Sequence, residues 1–215
     1  MDQLFEKLLK LVTETEECVE LAFNKRYGYL LSKVDDAGTG LQATVVLHLP
    51  ALTGMDKISK IESGLGKLNM KLARLYRDEQ QNALGNLYIL GNTPNIHDSE
   101  QDILAKVERI ALDIAKREKQ MRRVLYTKSP LVVDNYVWRA VGMLKTARLI
   151  SAAEMLAMLS YVGLGIDLGI LDKISWISVK KLMVQARGSH LQVLYPDESP
   201  DQVRASFVRD LFKEV

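Results

Sequence analysis

A change of period at Ser99 constrains this sequence more than any other feature. Before it, apolar residues alternate between strand and helix spacing; after it, the spacing is almost wholly helical. Leu41, Ala43, Val45, Leu47 and Leu49 recur every second residue, the pattern of a half-buried strand that Pro50 stops. Two further strands are expected around 71–77 and 84–90, and Met55, Ile58, Ile61, Leu65 and Leu68 have helical spacing. Past Ser99, the residues Ile103, Val107, Ile110, Ile114, Met121 and Leu125 define one long amphipathic helix. Ser99-Glu100-Gln101-Asp102 opens it as a capping start, with Asp in place of the usual Glu or Gln. Thr127-Lys128-Ser129-Pro130 breaks that helix, so the domain boundary is expected there, with residues 1–127 before it and 128–215 after it. Helices are expected over 134–149, 151–161 and 177–187. A last one starts at Ser199-Pro200, serine at the N-cap and proline in the first turn. The fold class is α+β: a sheet with flanking helices, then a small all-helical domain.

At the N-terminus, Leu4, Leu8, Leu11, Val12, Cys18, Val19, Ala22 and Phe23 fall on one side of a helix expected to end near Tyr27-Gly28. Within that stripe Cys18 reads as a small buried hydrophobe. It is the one cysteine, which excludes an internal disulfide and a cysteine-rich metal site. His48, His97 and His190 lie far apart, so no metal centre is expected. His48 falls on the opposite strand face from the apolar set and reads as structural. A hydrophobic fraction of 47% suffices for a core, while 26% charged residues argue against a membrane protein or a disordered chain. A net charge of +2 is too small to suggest nucleic acid. Met-Asp-Gln-Leu-Phe-Glu-Lys carries acids where a signal peptide carries bases, and no apolar run approaches a membrane span, so a cytoplasmic location is expected.

Four segments are more specific than this pattern. Ala37-Gly38-Thr39-Gly40-Leu41-Gln42-Ala43-Thr44-Val45-Val46-Leu47-His48-Leu49-Pro50-Ala51-Leu52 resembles the "GTGLRASVMLHLPAL" stretch of ATP:guanidino phosphotransferases, in the variety found in bacterial protein-arginine kinases. Asn82–Leu90 resembles their "EALGNIYQIS". Leu159-Ser160-Tyr161-Val162-Gly163-Leu164-Gly165-Ile166-Asp167-Leu168-Gly169 resembles "LSDVRLGIDLG" of their helical C-terminal domain. Asp201-Gln202-Val203-Arg204-Ala205 resembles the end of the phosphoarginine-binding motif "RDxxRA".

The resemblance implies a partial guanidino-kinase catalytic lobe followed by a dimerisation and phosphoarginine-binding domain. It also implies transfer of the γ-phosphoryl of Mg-ATP to an arginine side chain. Such transfer depends on positioning and charge neutralisation, with arginines clamping the phosphates and carboxylates orienting the acceptor guanidinium. Nothing in the sequence matches the family's "SSRIRLARN" or "NEEDHIRI" segments, so one wall of the cleft is expected to be missing. Within the "TSCPTN"-like loop Leu31-Ser32-Lys33-Val34-Asp35-Asp36, Lys33 stands at the cysteine position, and Asp35 and Asp36 bring two carboxylates. Gln42 stands where the family has a phosphate-contacting arginine. Losing such a contact costs roughly 1.5–3 kcal/mol. Arg74-Leu75-Tyr76-Arg77-Asp78-Glu79 resembles "RGIYGE": Arg74 is the nucleotide-binding candidate and Glu79 the catalytic one, but Leu75 and Asp78 replace two glycines.

In the helical domain, Asp201, Arg204 and Ala205 match the phosphoarginine motif and Pro200 departs from it. The expected partners are a second copy or a full-length arginine kinase, together with phosphoarginine-bearing proteins. Two readings follow from the resemblance: a non-catalytic regulatory or interaction module, and a kinase active only with a separate or upstream N-terminal lobe.

Overall fold

A computed structural model describes residues 2–30, 32–33, 37–77 and 83–213. The chain divides into two compact units. The first comprises Met1–Leu47, Ser59–Ala73 and Ile89–Ala115; the second comprises His48–Ile58, Arg74–Tyr88 and Lys116–Val215.

The first unit begins with α1 (Asp2–Cys18), followed by a short antiparallel ribbon of β1 (Phe23–Asn24) and β2 (Gly28–Tyr29). It also carries most of a three-stranded sheet built from β3 (Thr44–His48), β4 (Met70–Arg74) and β5 (Leu87–Asn92) in the order β3-β5-β4. Thr93 N donates to Asn69 O at one end and Leu75 N to Leu87 O at the other, so β4 and β5 run antiparallel. Leu47, Leu65 of α3 (Ile58–Leu65), Met70, Leu72 and Leu90 are buried, as are Ile103, Val107, Ile110 and Ile114 of α4 (Glu100–Lys128). Those four spacings are the ones that marked α4 as amphipathic. Its start is the expected capping box: Asp102 N donates to Ser99 Oγ and Ser99 N to Asp102 Oδ2, both at 3.2 Å.

The second unit holds the short α2 (Pro50–Gly54), then α5 (Pro130–Thr146), α6 (Ala152–Asp167), α7 (Trp176–Gln185), α8 (Gly188–Leu194) and α9 (Pro200–Phe212). Its core joins Val137, Leu144, Leu159, Val162, Val179, Val208 and Phe212, each buried. Ser151 caps α6 by accepting from Glu154 N at 3.1 Å. α6 must be slim where α7 approaches: a Cβ on Gly163 would sit 2.3 Å from the Trp176 ring, closer than any real contact.

Two expectations change, and one helix is added. α1 stops at Cys18 rather than near Tyr27-Gly28, because Phe23–Asn24 and Gly28–Tyr29 pair as a ribbon with Gly28 at a φ of 73°. Cys18 is exposed, not buried; its stripe is largely uncovered among the described residues, with Leu4 at 75% exposure and Leu11 at 60%. α8 has no counterpart in the sequence pattern, since a helix opening on glycine and serine lacks the usual start signals. Among the described residues, no helix is long and apolar enough to cross a membrane.

Candidate functional site

Gln42 lies in the first unit, on the segment entering β3. Its neighbours are pinned by one buried amide. Asn92, at the end of β5, accepts from Ala43 N at 2.8 Å and donates to Leu41 O at 2.9 Å. Gln42 is therefore held between two tied residues and is itself exposed. It lines a cavity of about 350 Å³ with Thr39, Gly40, Leu41, Asn92 and Asn95. Among the described residues, that lining offers amides, a hydroxyl and backbone, and carries no cationic side chain.

Arg74 belongs to the second unit, half-buried as the last residue of β4. Beyond it the chain is closed by Leu84 N donating to Tyr76 O at 3.0 Å and by an antiparallel bridge between Arg77 and Ala83. Glu79, within the intervening segment, lies outside the described residues, as do Asp35 and Asp36. Lys33 is exposed.

The structure brings Asp201 and Arg204 together. Pro200 starts α9, placing Asp201 in its first turn and Arg204 one turn later, where its guanidinium pairs with the Asp201 carboxylate. Arg204 is buried, and it also donates from Nε to Ala186 O and from Nη1 to Ile150 O, both at 2.8 Å. One guanidinium thus ties α9 to the end of α7 and to the α5–α6 connection. Asp201 keeps half of its side chain in solvent, and Ala205 is fully buried.

A second polar cluster joins His48 to Glu118 and Arg122, two residues that the sequence pattern did not single out. Glu118 on α4 is 2% exposed, and its two oxygens accept from Ala51 N and Leu52 N at 2.9 Å. α2 has proline in its first turn and no side-chain cap, so this carboxylate satisfies its leading amides. Arg122, one turn on, donates to Glu118 at 2.7 Å and to His48 O at 2.8 Å, and pairs with Asp167 at the end of α6. Its Nη2 also reaches His48 Nδ1 at 3.3 Å. A guanidinium only donates, so Nδ1 accepts and Nε2 carries the proton, donating to Ser160 Oγ at 2.9 Å. Asn86 donates to the same hydroxyl at 2.8 Å. Burial first, then the charges of Arg122 and Lys180, push the His48 imidazole down to about 3, so it is neutral at physiological pH. This is the structural role expected of His48. The signal that could have found the cluster was the i, i+4 pair Glu118 and Arg122, which looks on paper like an ordinary surface pair.

Residues 1–121 match the model of the ATP:guanido phosphotransferase C-terminal catalytic domain, and residues 130–215 that of the protein-arginine kinase McsB C-terminal domain. The chain belongs to the ATP:guanido phosphotransferase family. Within it, a protein-arginine kinase of Clostridium kluyveri is 32% identical over 214 residues, covering 98% of this chain and 62% of that relative. One from Bacillus subtilis is 34% identical over 200 residues, covering 91% of this chain and 54% of the relative. The chain spans about three-fifths of the length of these curated relatives, or somewhat less. Set on this family, the polar cluster explains the His48-Leu49-Pro50-Ala51-Leu52 motif: histidine, proline turn and free amides all meet Glu118 and Arg122.

Proposed function

We propose that this chain is a non-catalytic member of the family, acting as a regulatory or interaction module. The observation that carries the reading is that, among the described residues, the lining around Gln42 carries no cationic side chain. A triphosphate brings several negative charges, and amides in its place cannot neutralise them. Lys33 at the cysteine position, and carboxylates at Asp35 and Asp36, add to the mismatch with Mg-ATP. Groups that act as a unit do not keep a proportional share of rate when several are altered. Incubation with labelled ATP and an arginine-rich protein is expected to leave no acid-labile label on arginine; such label would overturn the reading.

As a module, the chain would pair through its helical domain (residues 128–215) with a second copy or with a full-length arginine kinase. Asp201, half exposed and paired with Arg204, would meet phosphoarginine-bearing proteins. Titration with phosphoarginine and gel filtration at several concentrations test these two parts separately. A second reading is favoured by the chain's span of 62% of the Clostridium kluyveri relative: a kinase completed by a separate or upstream N-terminal lobe. Adding the N-terminal portion of that relative to the assay, and finding labelled arginine only in the mixture, would establish it instead.

A further inference from the structure

A cavity of about 400 Å³ in the second unit lies between the segment that follows Arg74 and the starts of α6 and α8. Small-molecule sites have volumes of about 300–1,000 Å³. Leu75, Leu84, Met155, Leu156 and Met183 give this one an apolar floor. The helical core fixes that floor: Met155, Leu156 and Met183 are buried in it, and Leu75, Tyr76 and Leu84 pack against it. Leu75 N donates to Leu87 O and Leu84 N to Tyr76 O, both at 3.0 Å, so the backbone of the wall is tied as well.

The charge on the walls has one sign. Arg77 and Arg187 line the cavity, and among the described residues no carboxylate does. Glu154, next to Ala153 on α6, and Asp201, whose carbonyl accepts from Ile150 N, are not part of the lining. The Arg187 guanidinium lies over the Tyr76 ring, 5.0 Å from its centroid. Stacking occupies the face of a guanidinium and leaves its N–H edge for an anion. Each guanidinium has five N–H donors, so other contacts within the protein do not exhaust it. Two such groups match a phosphate monoester in charge and in forked geometry. Tyr76 and the apolar floor match an aromatic body behind that phosphate. Phosphoarginine fits less well, because no carboxylate of the described lining accepts from its guanidinium. Leu75 and Arg77 stand where the "RGIYGE" stretch has glycine and tyrosine, so these two walls are features of this chain.

We propose that this cavity binds an aryl phosphate, a phosphate monoester carried on an aromatic body. The inference depends neither on phosphoryl transfer by the chain nor on the role given to Asp201. Its test is titration calorimetry of the full chain with phenyl phosphate, expected to show saturable one-to-one binding. That binding should be about tenfold or more tighter than for inorganic phosphate, through burial of the ring. Arg187→Gln should weaken it about tenfold or more by removing one charged contact. Ala153→Asp should weaken it by a similar factor, because it sets a carboxylate in the lining. Ala153 is exposed in the first turn of α6, where an acid favours the helix; unchanged or raised stability in urea then separates lost binding from a lost fold. A phosphotyrosine peptide that binds as tightly as phenyl phosphate would place the ligand on a protein, whereas binding of phenyl phosphate alone would make it a small molecule. No binding of phenyl phosphate, equal affinity for inorganic phosphate, or binding that both variants leave intact would overturn the proposal. So would tighter binding of phosphoarginine that Arg187→Gln removes.

Discussion

The cavity around Gln42 and the cluster around Glu118 treat charge in opposite ways. At the cavity the described lining is neutral and open to solvent. At the cluster a carboxylate and a guanidinium are buried, and Arg122 is engaged by Glu118, Asp167, and the ring and carbonyl of His48. Arg204 repeats the pattern with Ala186 O, Ile150 O and Asp201. The contrast teaches that counting arginines in a kinase-like sequence says little about phosphate binding. A guanidinium engaged by carbonyls and carboxylates is holding the scaffold, and removing its partner leaves an uncompensated buried charge.

The largest expected effect tests that scaffold. Glu118→Ala strands Arg122 and the amides of Ala51 and Leu52, and should cost about 3–5 kcal/mol in urea unfolding. A loss below about 1 kcal/mol would mean that the cluster is no better tied than a surface pair. Next comes Gly163→Ala, which drives a methyl into the Trp176 ring and should cost about 3 kcal/mol. Pairing it with Trp176→Ala should recover part of that loss, a coupling read by a double-mutant cycle.

A smaller effect belongs to His48. Its folded pKa of about 3 lies below the ordinary value of 6.5, so between these values the unfolded chain binds a proton that the folded chain refuses. This contribution to stability is complete above pH 6.5 and falls as the pH drops toward 3. The loss amounts to about 2 kcal/mol by pH 5. His48→Gln should flatten that part of the pH profile relative to wild type; an unchanged profile would show that the imidazole is not buried neutral. The smallest effect on stability is expected at the cavity. Gln42→Arg should change unfolding by less than about 0.5 kcal/mol, yet raise ATP affinity by about tenfold in calorimetry. No gain in affinity would show that the cavity is not where a triphosphate sits.

The amino-acid order alone was enough for the family and for the fold class. Both rest on local information: short motifs, period-two and period-3.6 spacing, and the Ser99 and Ser151 caps, each of which acts within a few residues of itself. Gln42 and the Asp201–Arg204 pair could be named from the same local record. The bonds of Arg204 to Ala186 and Ile150 could not, because they join segments 18 and 54 residues away. Only the tertiary structure decided which charges are buried. Glu118 and Arg122 look like one solvent-facing turn of α4 until the amides of α2 and the end of α6 are folded against them. Only it, equally, left the apolar stripe of α1 largely uncovered among the described residues, with Cys18 exposed. Periodicity reports that a face is apolar; what packs on that face is a property of long-range contacts, which carry no signature in the spacing of the residues themselves.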